Sequence, residues 1–590
     1  MLSLIKNLNI FFISRHELHL TIAKSQVVFF ISSLFELTGI LMLGPLILLA
    51  TSGEASMANN EINFLYNFFS FSSFDNFFLF FFIATFGFIL LGSFASVFSV
   101  ILLSRISTDC GVNLGNKLLN HYIYQRWSYL MGASSNKIIN EIYQESSRVT
   151  QNIFVPMMMM NKNFILAFFI ICGLLFVDIF LTAAFFLLLS IIYIFIYLAF
   201  RSRLYQNSEL LSEAHEHRLS FLNDVFELIK QIKIWGNEAF FVDGFSKASG
   251  KWGNSYKHNL NIALLPRYFV ESFILLAISV LIFYSSSSGM NFSESFPKLS
   301  IFLFSAFKLL PALQGIYHSS SQVRGNIYAL ENIIKTLSTE SPTAESNELL
   351  DRDNIHEIAF NDVSFKYQDS DTFSLKNISL TLSQNKIIGI TGSSGSGKST
   401  FCDILMGLLQ QKSGDIIVNG EIASIYENKS WFQQISYAPP HTKLINDSIE
   451  NNIFFAASDT HSIEYINSVI NLDFIRDQEN LRSLPTENNL SAGQSQRLGL
   501  ARVFARKFPN LIILDEPTSA LDNVNKIRFI NHLSNLKQDK IIILITHELE
   551  LLKELDQILI FNEGSIESFA NFDEACKGSI ELNKLIDPDQ

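Results

Sequence analysis

Long apolar runs fill the first part of the chain, and a mixed pattern of apolar and charged positions fills the rest. A membrane-spanning helix requires ~20 mostly apolar residues, and six segments reach that length: residues 20–50, 77–104, 152–176, 179–200, 259–284 and 296–320. Beyond residue 340 the apolar runs are short, which is typical of a soluble α/β domain. The pattern predicts a multidomain membrane protein, with a six-helix transmembrane domain (residues 1–340), a linker (341–356) and an α/β domain (357–590).

The loops between the apolar segments predict an orientation. Residues 51–76 contain no Lys or Arg, whereas two long loops, residues 105–149 and 201–257, are rich in both. Cytoplasmic loops carry the excess of basic residues, so we expect both long loops and the α/β domain to lie in the cytoplasm. Apolar periodicity over residues 114–127 and 219–235 predicts helical extensions that carry the spans towards the α/β domain.

Charge and cysteine usage exclude two classes of partner. The net charge is −12 and no basic stripe is present, which argues against a nucleic-acid partner because phosphate backbones are bound by clustered Lys and Arg. The cysteines lie far apart without metal-ligand spacing, which predicts isolated thiols rather than a disulfide framework or a zinc site: Cys110, Cys172, Cys402 and Cys576.

A glycine-rich loop predicts a nucleotide site. Residues 392–399 read Gly-Ser-Ser-Gly-Ser-Gly-Lys-Ser, between a strand-like run and an amphipathic helical run. Its backbone N–H groups can cradle phosphate, Lys398 can reach the terminal phosphates, and Ser399 can place its hydroxyl on Mg²⁺. The predicted ATP contacts of this loop are Gly392, Ser393, Ser394, Gly395, Ser396, Gly397, Lys398, Ser399 and Thr400.

Acidic residues at a strand end predict the catalytic part of the site. The apolar run Leu-Ile-Ile-Leu-Asp-Glu ends in Asp515, which can hold Mg²⁺ through water, and Glu516, which can polarise the attacking water. His547 follows another apolar run and can contact the γ-phosphate. Tyr367 can stack its ring on adenine. Alone, His547 and Tyr367 would be an ordinary packed histidine and an ordinary strand tyrosine.

A short polar motif completes the set. Residues 490–494 read Leu-Ser-Ala-Gly-Gln before a helix that we expect to begin near Ser495. Ser491, Gly493 and Gln494 could then present a helix N-terminus to a γ-phosphate.

Together these motifs resemble the nucleotide-binding domain of ABC transporters over residues 357–570. Residues 519–522, Ser-Ala-Leu-Asp, match that family's D-loop, and residues 490–494 match its signature motif. Six spans ahead of one such domain resemble an exporter-type half-transporter of the bacterial inner membrane. The resemblance implies an ATPase coupled to transport, and a homodimer that holds two ATP molecules between the P-loop of one copy and the signature motif of the other.

Three departures from the family pattern concern coupling. Pro440 stands where the family has the Q-loop glutamine, Ala492 stands where glycine is usual in the signature motif, and the segment between Pro485 and Leu490 is short. Hydrolysis is expected to survive, because the phosphate-binding, metal-binding and catalytic residues remain. Communication between the ATP site and the membrane domain is expected to differ.

Three membrane segments, residues 35–45, 263–271 and 306–311, resemble those of bacterial lipid-linked oligosaccharide flippases. The resemblance implies flipping of a polyprenyl-diphosphate-linked glycan, with Arg267 and Lys308 as cavity cations that attract it. A cation inside a span is costly without a partner, so Glu36 and Glu271 could pair with these residues. Snorkelling to an interface is the alternative for Lys308.

Other functions would share the ATPase motifs. A multidrug exporter is one alternative, and Arg267 and Lys308 on the lipid-facing surface would favour it. A peptide exporter often carries an N-terminal protease domain, for which the 19 residues before the first span leave no room. A partially degenerate subunit of a heterodimer is suggested by Pro440 and Ala492, whereas the retained Glu516 argues against it.

Overall fold

The structure is a computed structural model of the whole chain. It describes residues 16–58, 60–272, 279, 292–339, 355–367, 370, 372–455, 457, 460–470, 472, 474–475, 490–507, 509–519, 521 and 523–586. Contacts divide the chain into two compact units, Met1–Gln125 with Gly132–Ser341, and Arg126–Met131 with Pro342–Gln590. Four predicted features fall wholly or mostly outside the described residues: most of the linker, Pro485, the D-loop residues Ala520 and Asp522, and the end of the fifth apolar segment.

The first unit is helical throughout its described length. Most of its helices are long: α1 (His16–Ser52), α2 (Asn60–Phe68), α3 (Phe74–Ile123), α5 (Ser135–Ile139), α6 (Ser146–Val149), α7 (Val155–Val177), α8 (Ile179–Glu227), α9 (Ile229–Trp235), α10 (Glu238–Leu264), α11 (Phe292–Arg324) and α12 (Ile327–Ser338). A 3₁₀ turn covers Gly53–Ala58, and π turns cover Asn140–Glu145 and Thr150–Phe154. Helix α4 (Trp127–Gly132) begins in the part of the chain that groups with the second unit.

Four stretches among the described residues are long and apolar enough to cross a membrane: Ile22–Ser52, Phe74–Ile123, Ser135–Val177 and Ser300–Arg324. They contain most or all of the first, second, third and sixth predicted spans. The fourth predicted span lies within α8, and the fifth is helical over residues 261–264 and 266–272 before the described residues end. The helical membrane domain expected from the sequence is therefore confirmed.

Apolar side chains hold the first unit together at two levels. Helix α1 packs against α3, α7 and α11, and buried residues such as Ile40, Ile170 and Leu309 fill that interface. The predicted extension of α3 packs Leu118 against residues of the second π turn and α12. The second predicted extension, over residues 219–235, is helical but is interrupted at Leu228 between α8 and α9.

A buried ion pair lies beside the π turns. Arg148 Nη1 is 3.4 Å from Glu145 Oε1, and both side chains are buried. Arg148 also donates to Ser212 Oγ at 2.7 Å and to Asn326 Oδ1 at 2.7 Å. These additional partners matter because a buried ion pair is tolerated only when its hydrogen-bonding groups are satisfied.

The second unit contains two sheets. Its strands are β1 (Glu357–Phe365), β2 (Leu375–Ser383), β3 (Lys386–Gly392), β4 (Ser413–Val418), β5 (Glu421–Ile422), β6 (Ile435–Ala438), β7 (Leu511–Asp515), β8 (Ile541–Ile545), β9 (Gln557–Asn562) and β10 (Ser565–Phe569). The smaller sheet has the antiparallel order β2-β1-β4-β5, and the larger sheet has the order β10-β9-β3-β8-β7-β6. All pairings in the larger sheet are parallel except β10 with β9.

Helices cover the larger sheet on both faces: α13 (Lys398–Leu405), α14 (Lys429–Gln433), α15 (Ile449–Phe454), α16 (Ile463–Ile470), α17 (Ala492–Ala505), α18 (Asn523–Leu536), α19 (Leu549–Leu552), α20 (Phe572–Gly578) and α21 (Ile580–Ile586). Strand β8 is five consecutive buried Ile and Leu residues, as expected for a parallel strand buried on both faces. Ligands bind at the carboxyl ends of such strands. The ends of β3, β8 and β7 are neighbours, so the loops that follow them meet at one edge.

Candidate functional site

The loop after β3 is shaped by glycines. Gly395 and Gly397 have φ of +78° and +108°, in a region that L side chains rarely adopt. A side chain at Gly395 would meet no atom within 4 Å, so the loop borders open space there. Lys398 Nζ donates to the carbonyls of Gly392 and Ser393, each at 2.7 Å. Burial lowers the pKa of Lys398, while the carboxylates of Asp515 and Glu516 act in the opposite direction.

Two carboxylates follow β7. Burial raises the pKa of Asp515 to about 6, the charge of Glu516 raises it further, and Lys398 lowers it. Glu516 has φ of +46°, and its N–H donates to the Ile545 carbonyl on β8 at 2.9 Å. His547 Nε2 lies 3.9 Å from Glu516 Oε1, and both side chains are nearly half exposed. The acid pair and the histidine are therefore held at the same edge as the P-loop.

These groups line one cleft of about 840 Å³. Of the predicted site residues, it is lined by Tyr367, Ser394, Gly395, Gly397, Lys398, Ser399, Thr400, Asp515, Glu516 and His547. The Tyr367 hydroxyl lies 3.1 Å from Thr400 Oγ1, which ties the ring to the start of α13. Among the described residues, Gly392, Ser393 and Ser396 belong to the same loop but do not line the cleft.

The signature motif caps a helix. Helix α17 begins at Ala492, so the expected start near Ser495 is wrong by one turn. Ser491 Oγ accepts the Gln494 N–H at 3.2 Å, and Gln494 Oε1 accepts the Ser491 N–H at 2.8 Å. This reciprocal capping box fixes the helix N-terminus at Ser491. Within the described part of the chain, Ser491, Gly493 and Gln494 are not part of the cleft lining.

Comparison with known proteins identifies this arrangement. Residues 375–519 match the family ABC transporter. The chain is an exporter-type ABC half-transporter. It is 26% identical over 491 residues to the ATP-dependent lipid A-core flippase of Photobacterium profundum, covering 81% of this chain and 83% of that protein. It is 26% identical over 344 residues to the flippase of the same name from Salmonella typhimurium, covering 57% of this chain and 59% of that protein.

The fold of the transporter matches a solved structure. The structure of a bacterial Atm1-family ABC exporter with ATP bound superposes with a TM-score of 0.72, over 95% of this chain and 98% of that chain. Sequence identity is 16%, so this likeness concerns the fold alone. It agrees with a helical membrane domain followed by an α/β ABC ATPase domain.

Several residues of the ATP cleft are absent from the sequence prediction. They are Thr372, Phe373, Ser374, Lys376, Pro440, His441, Ile545, Glu563 and Gly564. Phe373 is an aromatic residue just before β2, and His441 directly follows Pro440; both positions gave a sequence signal that was not used. Pro440 occupies the Q-loop position in the cleft, and its side chain has no polar atom to offer a ligand.

The segment Arg126–Met131, here called the docking segment, belongs to the ATPase unit of the transporter. Arg126 Nε lies 3.3 Å from Glu427 Oε2. Burial raises the pKa of Asp403 to about 6, a hydrogen bond from Trp127 lowers it, and the charge of Asp515 raises it. A loop that follows α3 thus reaches the vicinity of the acid pair, in line with the extension predicted for residues 105–149.

The intramembrane ion pairs suggested by the sequence are present in the first unit. Arg267 Nε lies 2.7 Å from Glu271 Oε1, which also accepts from Gln314 Nε2 at 3.4 Å. Lys308 Nζ lies 3.2 Å from Glu36 Oε2. Their side chains are 60% and 44% exposed, respectively, for the two cations. The two pairs therefore leave part of each cation open.

A third cation, Lys162 of α7, was missed in the sequence analysis. Its Nζ lies 3.5 Å from the backbone carbonyl of Ser96. The absent basic position near Gly92 also has a structural counterpart: a side chain at Gly92 would come within 3.1 Å of Glu36 Cγ. A Lys within the apolar run of residues 152–176 was the signal that could have found Lys162.

Proposed function

We propose that this ABC exporter uses ATP to flip a glycolipid with an anionic head group, such as a lipid-linked oligosaccharide, across the bacterial inner membrane. The observation that carries the proposal is the set of cations within apolar helices, Arg267, Lys308 and Lys162. Cations at such positions are costly unless they meet an anion, water or protein. The relatives named lipid A-core flippase support the glycolipid class.

We propose the following roles at the ATP site. Ser399 and Asp515 hold Mg²⁺, and the donor set supports this, because a hydroxyl and a carboxylate are hard oxygen ligands that line one cleft. Bound Mg²⁺ would neutralise phosphate charge. Glu516 orients and polarises the attacking water, and His547 contacts the γ-phosphate.

The other ATP contacts are assigned by position. Tyr367 stacks on adenine from the cleft wall, and the P-loop backbone with Lys398 holds the phosphates. The signature residues Ser491, Gly493 and Gln494 complete the site of a second copy. Their position outside the cleft lining of their own chain supports a site shared between two copies, and hence a homodimer.

Two alternatives lead to different expectations. A multidrug exporter would use an apolar cavity and would not need the intramembrane cations. A degenerate partner subunit would have lost turnover, and Pro440 in the cleft favours that alternative. The retained Glu516 and His547 favour an active ATPase instead.

The cargo proposal is tested by removing two cations. Arg267→Gln with Lys308→Gln is expected to reduce flipping of a lipid-linked saccharide by at least about tenfold in reconstituted vesicles, because each lost charge weakens attraction in a low dielectric. Lys247→Gln is a matched control, since it breaks an exposed ion pair with Asp243. Normal flipping by the double variant, or transport of hydrophobic drugs only by the wild type, would contradict the proposal.

A further inference from the structure

A polar cluster joins four candidate membrane spans. Glu36 of α1, Ser96 of α3, Lys162 of α7 and Lys308 of α11 each lie within one of them. Ser96 Oγ donates to Glu36 Oε1 at 2.5 Å, and Lys308 Nζ donates to Glu36 Oε2 at 3.2 Å. Lys162 Nζ donates to the Ser96 carbonyl at 3.5 Å. One carboxylate thus connects a hydroxyl and an ammonium group, with a second ammonium group beside them.

The charges of this cluster do not cancel. Two ammonium groups face one carboxylate, so the cluster carries a net charge of +1 when all three are ionised. An unbalanced charge among apolar helices is costly and favours a further anion. The Glu36 side chain is 10% exposed, whereas that of Lys308 is 44% exposed. An incoming anion therefore reaches Lys308 without first displacing the carboxylate from its buried position.

The surroundings of Glu36 keep its carboxylate in place. Its oxygens have different partners, Ser96 on one and Lys308 on the other. Gly92 of α3 lies so close that a side chain there would come within 3.2 Å of the Glu36 backbone nitrogen. If Lys308 turned away, Glu36 would still keep the Ser96 hydroxyl as a donor.

We propose that Glu36 is an internal counter-ion that holds Lys308 until the phosphate of the cargo takes its place. On binding, the phosphate is shared by Lys308 and Lys162, and Glu36 retains Ser96. The surplus positive charge makes this exchange selective, because an uncharged lipid offers nothing that replaces a carboxylate on an ammonium group. The inference rests on the proposed anionic glycolipid cargo and adds how the site rejects neutral lipids.

The other intramembrane pair differs in the features that matter. Arg267 and Glu271 lie four residues apart on one helix and balance each other, with Gln314 as the additional partner. That pair joins no second cation. The selectivity for a phosphate is therefore assigned to the cluster of Glu36, Lys162 and Lys308, and the Arg267 pair is left as a general cation for the head group.

The test compares two fluorescent lipids that differ only in a phosphate. Full-length protein in detergent is titrated with short-chain labelled phosphatidic acid and with the matching diacylglycerol, and binding is followed by anisotropy. The wild type is expected to prefer the phosphate lipid. Glu36→Gln is expected to increase this preference by about threefold to tenfold, because it removes the internal competitor, whereas Lys162→Gln is expected to abolish it.

Control variants separate this role from a purely structural one. Glu36→Asp keeps the charge and is expected to retain the wild-type preference. Asp243→Asn removes a carboxylate from an exposed Lys and is expected to change nothing in lipid binding. If Glu36→Gln lowers the preference as Lys308→Gln does, the pair only joins α1 to α11 and the inference is wrong.

A folding defect in the Glu36 variant would not leave the inference untested. Lys162→Gln leaves the Glu36–Lys308 pair intact and makes the cluster neutral, so an unchanged phosphate preference in that variant also overturns the inference. The probe carries no sugar. Loss of saccharide flipping by the wild type with the phosphate preference intact would overturn the proposed glycolipid cargo alone.

Discussion

Glu516 combines an unusual backbone with the most exposed carboxylate of the acid pair. Its φ of +46° is uncommon for a residue with a side chain and costs of order 1–3 kcal/mol. The conformation is retained because its N–H bonds to β8 and Gln496 Nε2 donates to its carbonyl at 2.9 Å. The strain is thus fixed by neighbours and turns the carboxylate towards His547 and the cleft.

Glu516→Gln is expected to bind ATP but to hydrolyse it at least about 100-fold more slowly, because water polarisation is lost while the phosphate contacts remain. Nucleotide affinity and turnover are measured on the same preparation. Glu563→Gln is a matched control, since Glu563 also has positive φ and lines the same cleft; it should cost much less. Turnover of Glu516→Gln at the wild-type rate would contradict the assigned role.

The raised pKa of Asp515 predicts a pH dependence with a defined sign. Its pKa of about 6 means that the carboxyl becomes protonated as the pH falls through that value. ATPase activity is expected to fall there, because the protonated acid no longer binds Mg²⁺. Proton and metal compete, so raising the Mg²⁺ concentration should move the acid midpoint to lower pH. A midpoint that ignores Mg²⁺ in a pH profile would assign the loss to another group.

At the scale of elements, the loop after β6 separates binding from coupling. Pro440 lines the ATP cleft, but the P-loop supplies most of the cleft wall near the phosphates. Pro440→Gln is therefore expected to change the ratio of lipid flipped to ATP hydrolysed more than the ATP affinity. Pro439→Gln is the control, because Pro439 lines a separate cavity with Thr442 and Gly499. A large change in affinity with an unchanged ratio would show that this loop mainly binds nucleotide.

The elements of the ATPase unit could be predicted because their signals are local. The P-loop, the acid pair and His547 each follow an apolar run that forms a central strand. The start of α17 was misplaced although Ser491 and Gln494 have the spacing of a capping box. Lys162 could not be assigned a role from its own segment, because its partners come from three other helices that only folding brings together.

At the scale of the whole molecule, the signature motif predicts how two copies share their sites. A mixed dimer of Lys398→Ala and Ser491→Arg copies should contain one intact site, formed by the P-loop of the second copy and the signature motif of the first. In a Glu516→Gln background it should retain about half the ATP of the unaltered dimer. Dimers of each altered copy alone are expected to retain almost none, and equal retention by all three would contradict a shared site.

The π turns ahead of α7 determine which way that helix faces. Asn140–Glu145 and Thr150–Phe154 each accommodate more residues than the same length of α-helix. An α-helix advances by about 100° per residue. Removing one residue from either turn would let the backbone continue as ordinary helix but would rotate everything after it by about that angle. Lys162 would then point away from Glu36 with its sequence neighbourhood unaltered, so the extra residues act as a phase setting for the membrane half.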